Sequence, residues 1–427
     1  MKKRFLFIIF LFFSFSLIFC EDAKKFKIKK IKYLSSDVID EKVLRTYLGF
    51  KEGDYFTEKT LDILIDLATL RLREYGIFNN IEIFSSNSEI SENEKIIFIK
   101  LDKGFIYAIN ASLYWGQVGW KNFLNRGDYI GFVAGINRNI FESKHHFPVG
   151  FIYYQQQIGW EWVLRNPYIP FFPLYGNQSN YIHSAFYIGK FGFKLHPDIN
   201  FGIYFGEKSQ FLNNIKNLQS FETTNYSFEH IRSGILIGGF INSDTRYLIK
   251  KYRFGHKINV EGGINIDVTG KNIYPELLTD LKFDFMPHDY IFMFVGGRLY
   301  NQFTNTLTYT KFNIRDFQRG SVSKGTIYGN FLFDWNFDFR VKLASWSVGA
   351  LSQTIGLSSF YEGFLITDDY NIIEQKESIE YKNIIGGGLW LKFGSPVNIS
   401  IFAELGYTIG EEFTDGYKIN IGVADFF

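Results

Sequence analysis

From about residue 105 to the C-terminus, apolar and polar positions alternate in short runs separated by clusters of turn-forming residues, with no helical spacing among them. The clearest run lies in Asp316 to Leu343, DFQRGSVSKGTIYGNFLFDWNFDFRVKL, where Phe331, Phe333, Trp335, Phe337 and Phe339 fall on one parity. Leu332, Asp334, Asn336, Asp338 and Arg340 stand between them. A period of two puts the five aromatics on one face of a strand and the mostly polar set on the other. An aromatic face is costly in water, but it suits the outside of a transmembrane barrel, whose polar side chains turn towards a wet lumen. Fourteen segments read in this way: 105–115, 128–139, 147–158, 181–191, 193–205, 229–241, 254–268, 276–286, 289–300, 327–341, 346–360, 381–393, 397–409 and 416–427. The stretches 159–169, 208–228 and 303–318 have room for two more. Sixteen strands would have roughly 20 residues each, enough for a strand of about 10 and its connection. A soluble sandwich would need its aromatic faces covered, and no helical segment remains to cover them.

The first hundred residues have a different texture. Residues 1–20, MKKRFLFIIFLFFSFSLIFC, have the basic start and short apolar stretch of a secretory signal, with cleavage expected near residue 20 and acylation of Cys20 as the alternative. In 24–33, KKFKIKKIKY, the apolar positions Phe26 and Ile28 shift phase to Ile31 and Tyr33. This reads as a short strand with a lysine-rich face, either guarding a sheet edge or attracted to a membrane surface. Asp37 is placed to cap a helix through Val38, Val43, Leu44 and Leu48 that stops at Gly49. Thr57 opens a second helix, whose apolar positions Leu61, Leu64, Ile65, Ala68 and Leu72 form one stripe, and Gly76 ends it. Strands over Ile77–Ser85 and Lys95–Leu101 complete a β-α-α-β-β order. The fold class is therefore an all-β transmembrane barrel of about 16 antiparallel strands with one small N-terminal α+β domain.

Composition narrows the function. Aromatics make up 19% of residues while the net charge is only +2, so charge suggests neither a nucleic-acid partner nor an acidic substrate. The single cysteine excludes an internal disulfide framework and any cysteine-built metal site. No zinc-helix motif or nucleophile elbow is present. His145 and His146 are adjacent and would face opposite sides of a strand, and no helix follows the Gly386-Gly387-Gly388 run to make a phosphate loop. No enzymatic role, cofactor or metal is expected.

Residues 26–103 resemble a POTRA domain, with Gly49 to Phe56 as the glycine-to-phenylalanine element between its helices and Tyr75-Gly76-Ile77-Phe78 as the stop to the second helix. Several later stretches resemble the superfamily of BamA, TamA and the two-partner secretion transporters, which couples POTRA domains to a sixteen-stranded outer-membrane barrel. Asp244, Arg246 and Gly255 stand where that superfamily has its "D-x-R … G" hairpin. Arg319-Gly320 resembles its conserved-loop "R-G-[FY]" motif, with Ser321 in the third place. Ser359–Gly363 resembles its "F-x-D-x-G" strand, with Glu362 replacing the aspartate. Residues 384–397 resemble the strand that follows, and Phe427 is a terminal aromatic of the barrel-targeting kind.

With residues 1–20 read as a signal peptide, the resemblance implies a periplasmic POTRA domain (24–103) and an outer-membrane barrel (104–427). It implies that Arg319 enters the lumen and grips Glu362, with Asp338 and Asp334 as further carboxylates; the plainer alternative is a solvated arginine at a loop tip. A polypeptide client at the POTRA domain and barrel, outer-membrane lipid and periplasmic accessory proteins are the implied partners of a monomeric barrel. The implied activity is insertion of outer-membrane proteins or translocation of a polypeptide, with a passive pore or surface antigen as the alternative.

Overall fold

The computed structural model describes residues 25–34, 38–89, 91–104, 106–111, 115–122, 124, 128–135, 138–147, 149–164, 180–215, 226–269, 271–302, 331–348, 351–367, 379–393, 399–409 and 416–424. The signal segment and Cys20, Asp37, the Arg319-Gly320 loop and Phe427 lie outside them.

The N-terminal domain is a four-stranded sheet backed by two helices. Its elements are β1 (Lys25–Tyr33), α1 (Glu41–Leu48), β2 (Tyr55–Thr57), α2 (Glu58–Tyr75), β3 (Phe78–Asn87) and β4 (Glu94–Lys103), and the sheet order is β2-β1-β4-β3. Strand β1 is an inner strand only over Lys25–Lys27, where β2 pairs with it; from Lys29 to Tyr33 its ladder partner is β4 alone, so the expectation of lysines along a sheet edge fails for the first part of the strand only. The phase shift read in β1 is real. Its register against β4 slips between Ile28 and Lys30, so Ile28 and Ile31 both reach the core.

Helix α1 begins later than the sequence suggested. Its cap is Asp40, whose side chain accepts from the Lys42 amide at 2.8 Å, and Val38 precedes the helix. Thr57 caps α2 as expected, accepting from the Thr60 amide at 3.2 Å, and Gly76 closes it in the left-handed conformation. Ile28, Val43, Leu44, Leu48, Leu61, Ala68, Leu72, Ile97, Ile99 and Leu101 form the shared core.

The rest is one antiparallel sheet of sixteen strands, each paired with its sequence neighbours. They are β5 (Tyr107–Ala111), β6 (Trp115–Lys121), β7 (Tyr129–Gly135), β8 (Arg138–His146), β9 (Ile152–Leu164), β10 (Asn180–His196), β11 (Ile199–Ile215) and β12 (Tyr226–Asp244), followed by β13 (Phe254–Asp267), β14 (Asn272–His288), β15 (Ile291–Gln302), β16 (Phe331–Val348), β17 (Leu351–Thr367), β18 (Ile379–Phe393), β19 (Ile399–Ile409) and β20 (Gly416–Ala424). The end strands β5 and β20 come alongside each other, closing the wall, but no backbone ladder joins them among the described residues. The two strands the sequence reading lacked are β6 and β8, outside the stretches suggested for them.

The alternation sets the two faces of the wall. Phe201, Ile203, Phe205, Ile237, Phe333, Phe337, Leu357, Ile385, Leu389, Ile401 and Leu405 point outward and are exposed. Together they form an apolar belt of the kind that faces lipid. Stacked rings reinforce it, as where Phe191 meets Phe147 and Phe205, and Phe193 meets Phe201. The inward parity is not uniformly polar. Leu332, Phe360, Phe364, Ile384 and Trp390 are inward yet at most 2% exposed, so the lumen along β16–β18 is filled there rather than wet.

Candidate functional site

The register of β14 to β19 gathers inward charged groups on one side of the lumen. Asp280, Arg298 and Asp334 stand in one row across β14, β15 and β16, and Asn336 faces Glu362 in the next pair of strands. With Lys282 these residues line a cleft of about 100 Å³. Arg298 Nη1 lies 4.0 Å from Asp334 Oδ2. Farther along β16, Arg340 reaches back two residues and grips Asp338 through Nε (3.2 Å) and Nη2 (2.9 Å), and both side chains are buried. Residues i and i+2 of a strand share a face, which makes this planar two-point contact reachable. Ser358 Oγ donates to Glu404 Oε1 at 2.9 Å. Thus Asp334, Asp338 and Glu362 all face the lumen, Glu362 is only 5% exposed, and Asp338 is engaged by Arg340.

The quoted hairpin motif has a local physical cause. After β12 the chain makes a short helical turn (Arg246–Leu248) and a one-turn helix α3 (Ile249–Tyr252) before β13. Arg246 grips Asp244 with Nε at 3.0 Å and Nη2 at 2.8 Å, again at i, i+2 spacing. A Cβ on Gly255 would sit 2.6 Å from the Arg246 Cα, so only glycine lets the β13 backbone pass this pair. Gly386 likewise lies under the Phe360 ring, where a Cβ would come within 2.3 Å.

A second cluster, absent from the sequence reading, joins the N-terminal domain to the barrel rim. Arg71 on α2 donates from Nε to Asp198 Oδ1 (2.9 Å) and from Nη2 to Oδ2 (2.8 Å). Asp198 lies in the β10–β11 turn. The Tyr247 hydroxyl, from the β12–β13 connection, donates to Asp198 Oδ1 at 2.7 Å and accepts from Arg71 Nε at 2.9 Å. Arg71 Nη1 approaches the Leu48 carbonyl at the end of α1 at 3.4 Å. Burial alone would push the Asp198 carboxyl up, but the hydrogen bonds and charge of Arg71, with the Tyr247 hydroxyl, hold it below the usual carboxylate range.

Around this cluster, Lys194 of β10 lies 3.3 Å above the Tyr47 ring of α1, Lys251 pairs with Asp66 of α2, and Asn122 Nδ2 donates to the Val38 carbonyl at 2.6 Å. The signal for Arg71 was present in the sequence. It stands three residues after Ala68 and seven after Leu64, on the apolar stripe of α2, where a solvated charge does not belong.

Residues 26–104 match the family model described as POTRA, surface antigen variable number repeat. No curated protein matches the chain. Among solved structures, BamA from Haemophilus ducreyi lacking POTRA domains 1–3 is similar at 13% identity and a TM-score of 0.50, over 93% of this chain and 84% of that one. CdiB from Escherichia coli is similar at 9% identity and a TM-score of 0.59, over 93% and 76% of the two chains. CdiB from Acinetobacter baumannii is similar at 13% identity and 0.57, over 94% and 74%.

Proposed function

We propose, from the premise that this is a POTRA-plus-barrel protein with the fold of the BamA/TamA-type outer-membrane superfamily, that it inserts or translocates a polypeptide client. The barrel sits in the outer membrane with its POTRA domain in the periplasm. The observation that carries the proposal is the long outer edge of the POTRA sheet, on which no further strand pairs among the described residues. Strand β3 spans ten residues and ends the sheet, whereas the opposite edge, β2, has three. An extended client adds to such an edge through main-chain hydrogen bonds, with side-chain contacts setting the preference. Phe84, 46% exposed on β3 and stacked on Phe98, provides an apolar contact for it.

In the same reading Arg319 enters the lumen from its loop and engages Glu362 beside Asp334, and Phe427 serves as the signal for the cell's own barrel-assembly machinery. The buried, inward position of Glu362 supports the first role.

Depleting the protein and comparing outer-membrane and secreted proteomes tests the function. Loss of a defined set of proteins from either fraction is expected, and Phe84→Lys should reproduce part of it by placing a charge on the edge. If depletion leaves both proteomes intact, the protein is a passive pore or surface antigen.

A further inference from the structure

The geometry points to a lipid-binding groove on the outer wall of the barrel, across β7–β11, that holds one outer-leaflet lipid with a primary ammonium headgroup. Glu207 takes the ammonium and the apolar part of the groove takes an acyl chain. The groove faces the membrane, so it stands apart from the transport reading.

The strand register builds it. Phe132, Phe141, Ile158, Tyr187, Glu207 and Ile235 lie level with one another on β7 to β12. Glu207 shares the outward parity of Phe201, Ile203 and Phe205 on β11, and it is the only charge in that row. In the next row Trp160, Ala185 and Ser209 are level on β9, β10 and β11. Ala185 offers only a methyl group there, which lets Trp160 and Phe211 reach towards each other across β10 and stack with ring centres 6.1 Å apart. The result is a groove of about 490 Å³ with rings along its sides and Glu207 and Ser209 at one end.

Its height suits a headgroup. Strand β11 leaves the periplasmic turn at Ile199, and at roughly 3.3 Å per residue Glu207 stands about 26 Å along it. With the usual tilt that is about 20 Å of depth, near the top of an apolar band about 25 Å tall. The outward side chains below Glu207 on β11 are Ile199, Phe201, Ile203 and Phe205, whereas Ser209 stands above it. Strand β12 changes at the same level, from Ile237 and Ile235 to Ser233, and the Ser209 and Ser233 hydroxyls are hydrogen-bonded at 2.7 Å. The groove therefore straddles the line where hydrocarbon gives way to headgroups in the outer leaflet.

The chemistry selects the headgroup. Among the described residues no cationic side chain pairs with Glu207; its contact is the Ser209 hydroxyl, which donates to Oε1 at 3.5 Å. The Tyr187 hydroxyl, level with it on β10, is already bonded to that of Tyr154. A carboxylate at this depth repels a headgroup whose only charge is its phosphate. It gains charge-assisted hydrogen bonds from an ammonium group, whose N–H donors a quaternary ammonium lacks.

Native mass spectrometry of the full chain in detergent tests the site, with equimolar phosphatidylethanolamine, phosphatidylglycerol and phosphatidylcholine of identical acyl chains. The parent should retain phosphatidylethanolamine about 10-fold better than phosphatidylglycerol, the worth of one charge-assisted hydrogen bond, with phosphatidylcholine between them. Glu207→Gln, of the same size but neutral, should abolish the preference. Ala185→Phe should fill the groove and lower retention of all three lipids. Heat-modifiable gel migration establishes that each variant is folded, and if Ala185→Phe is not, Glu207→Gln decides alone. Equal retention of phosphatidylethanolamine and phosphatidylglycerol by the parent overturns the site. So does a preference that survives in Glu207→Gln, or parental retention by a folded Ala185→Phe.

Discussion

An arginine two residues from an aspartate recurs in this chain as a structural unit. Asp338 and Arg340 form it on the lumenal wall and Asp244 and Arg246 form it at the rim, each as a two-point fork. Removing one partner of the buried pair leaves an uncompensated charge. Arg340→Ala is expected to lower barrel stability by about 3 kcal/mol, and Arg340→Met with Asp338→Leu by much less. Urea unfolding in vesicles, followed by gel migration, measures both. Asp198 gives a pH prediction. Its carboxyl is held below the usual range, so its contribution is complete above the unfolded pKa and is lost only as pH falls through the lower folded value. The neighbouring Arg71, the Tyr247 hydroxyl and His196 (3.9 Å away, if protonated) all favour the ionised form, against the opposing effect of burial. The contact of Arg71 with Asp198 should therefore persist from neutral pH to about 4 and loosen below it, read as broadening of the distance between spin labels at Ser86→Cys and Ser347→Cys in a Cys20→Ser background. Of these residues the sequence offered the aspartates and arginines of the motifs. Asp198 and Tyr247 stand 127 and 176 positions from Arg71, and no local pattern connects such groups.

At the scale of elements, the aromatic strands were the legible ones and the short ones were not. Strand β6, WGQVGWK, carries two glycines, and β8, RNIFESKHH, is largely polar, so both look like connections. In the barrel that polarity is inward, where Gln117 donates to Glu142 at 2.7 Å and Tyr129 donates to it at 3.0 Å. Strand β2 escaped notice because three residues hold no period. The cap of α1 was placed three residues early because Asp37 and Asp40 are equally good caps locally, and tertiary packing of Val43 and Leu44 decides between them. The β1 phase shift, by contrast, was readable because both halves of the strand bury isoleucine. Thr57→Ala should cost the POTRA domain about 1 kcal/mol, read by thermal melting of full-length protein with a label on α2. Gly386→Val should block barrel folding outright, because the new side chain meets the Phe360 ring and the Leu405 carbonyl at once.

For the whole molecule, the belt and the strand order were implicit in the alternation, while the state of the lumen was not. Period two distinguishes the two faces but says nothing of what lies against the inner one. Buried Phe360, Phe364 and Ile384 belong to the same parity as Glu362 and Asp338, and the sequence alone presented them as part of a wet wall. A lumen filled at that wall predicts single-channel conductance far below that of an open sixteen-stranded porin. Planar-bilayer recording of the parent chain measures it, and a large steady current would contradict the filled lumen.

Strand β5 has two attachments of opposite character. Through Gly104–Ile106 it carries the whole POTRA domain, and on its outer side it meets β20 without a backbone ladder among the described residues. Any swing of the domain therefore applies torque to the stave with the least grip on its neighbour. A load on the N-terminal domain would therefore be felt first at that seam, before any other pair of staves.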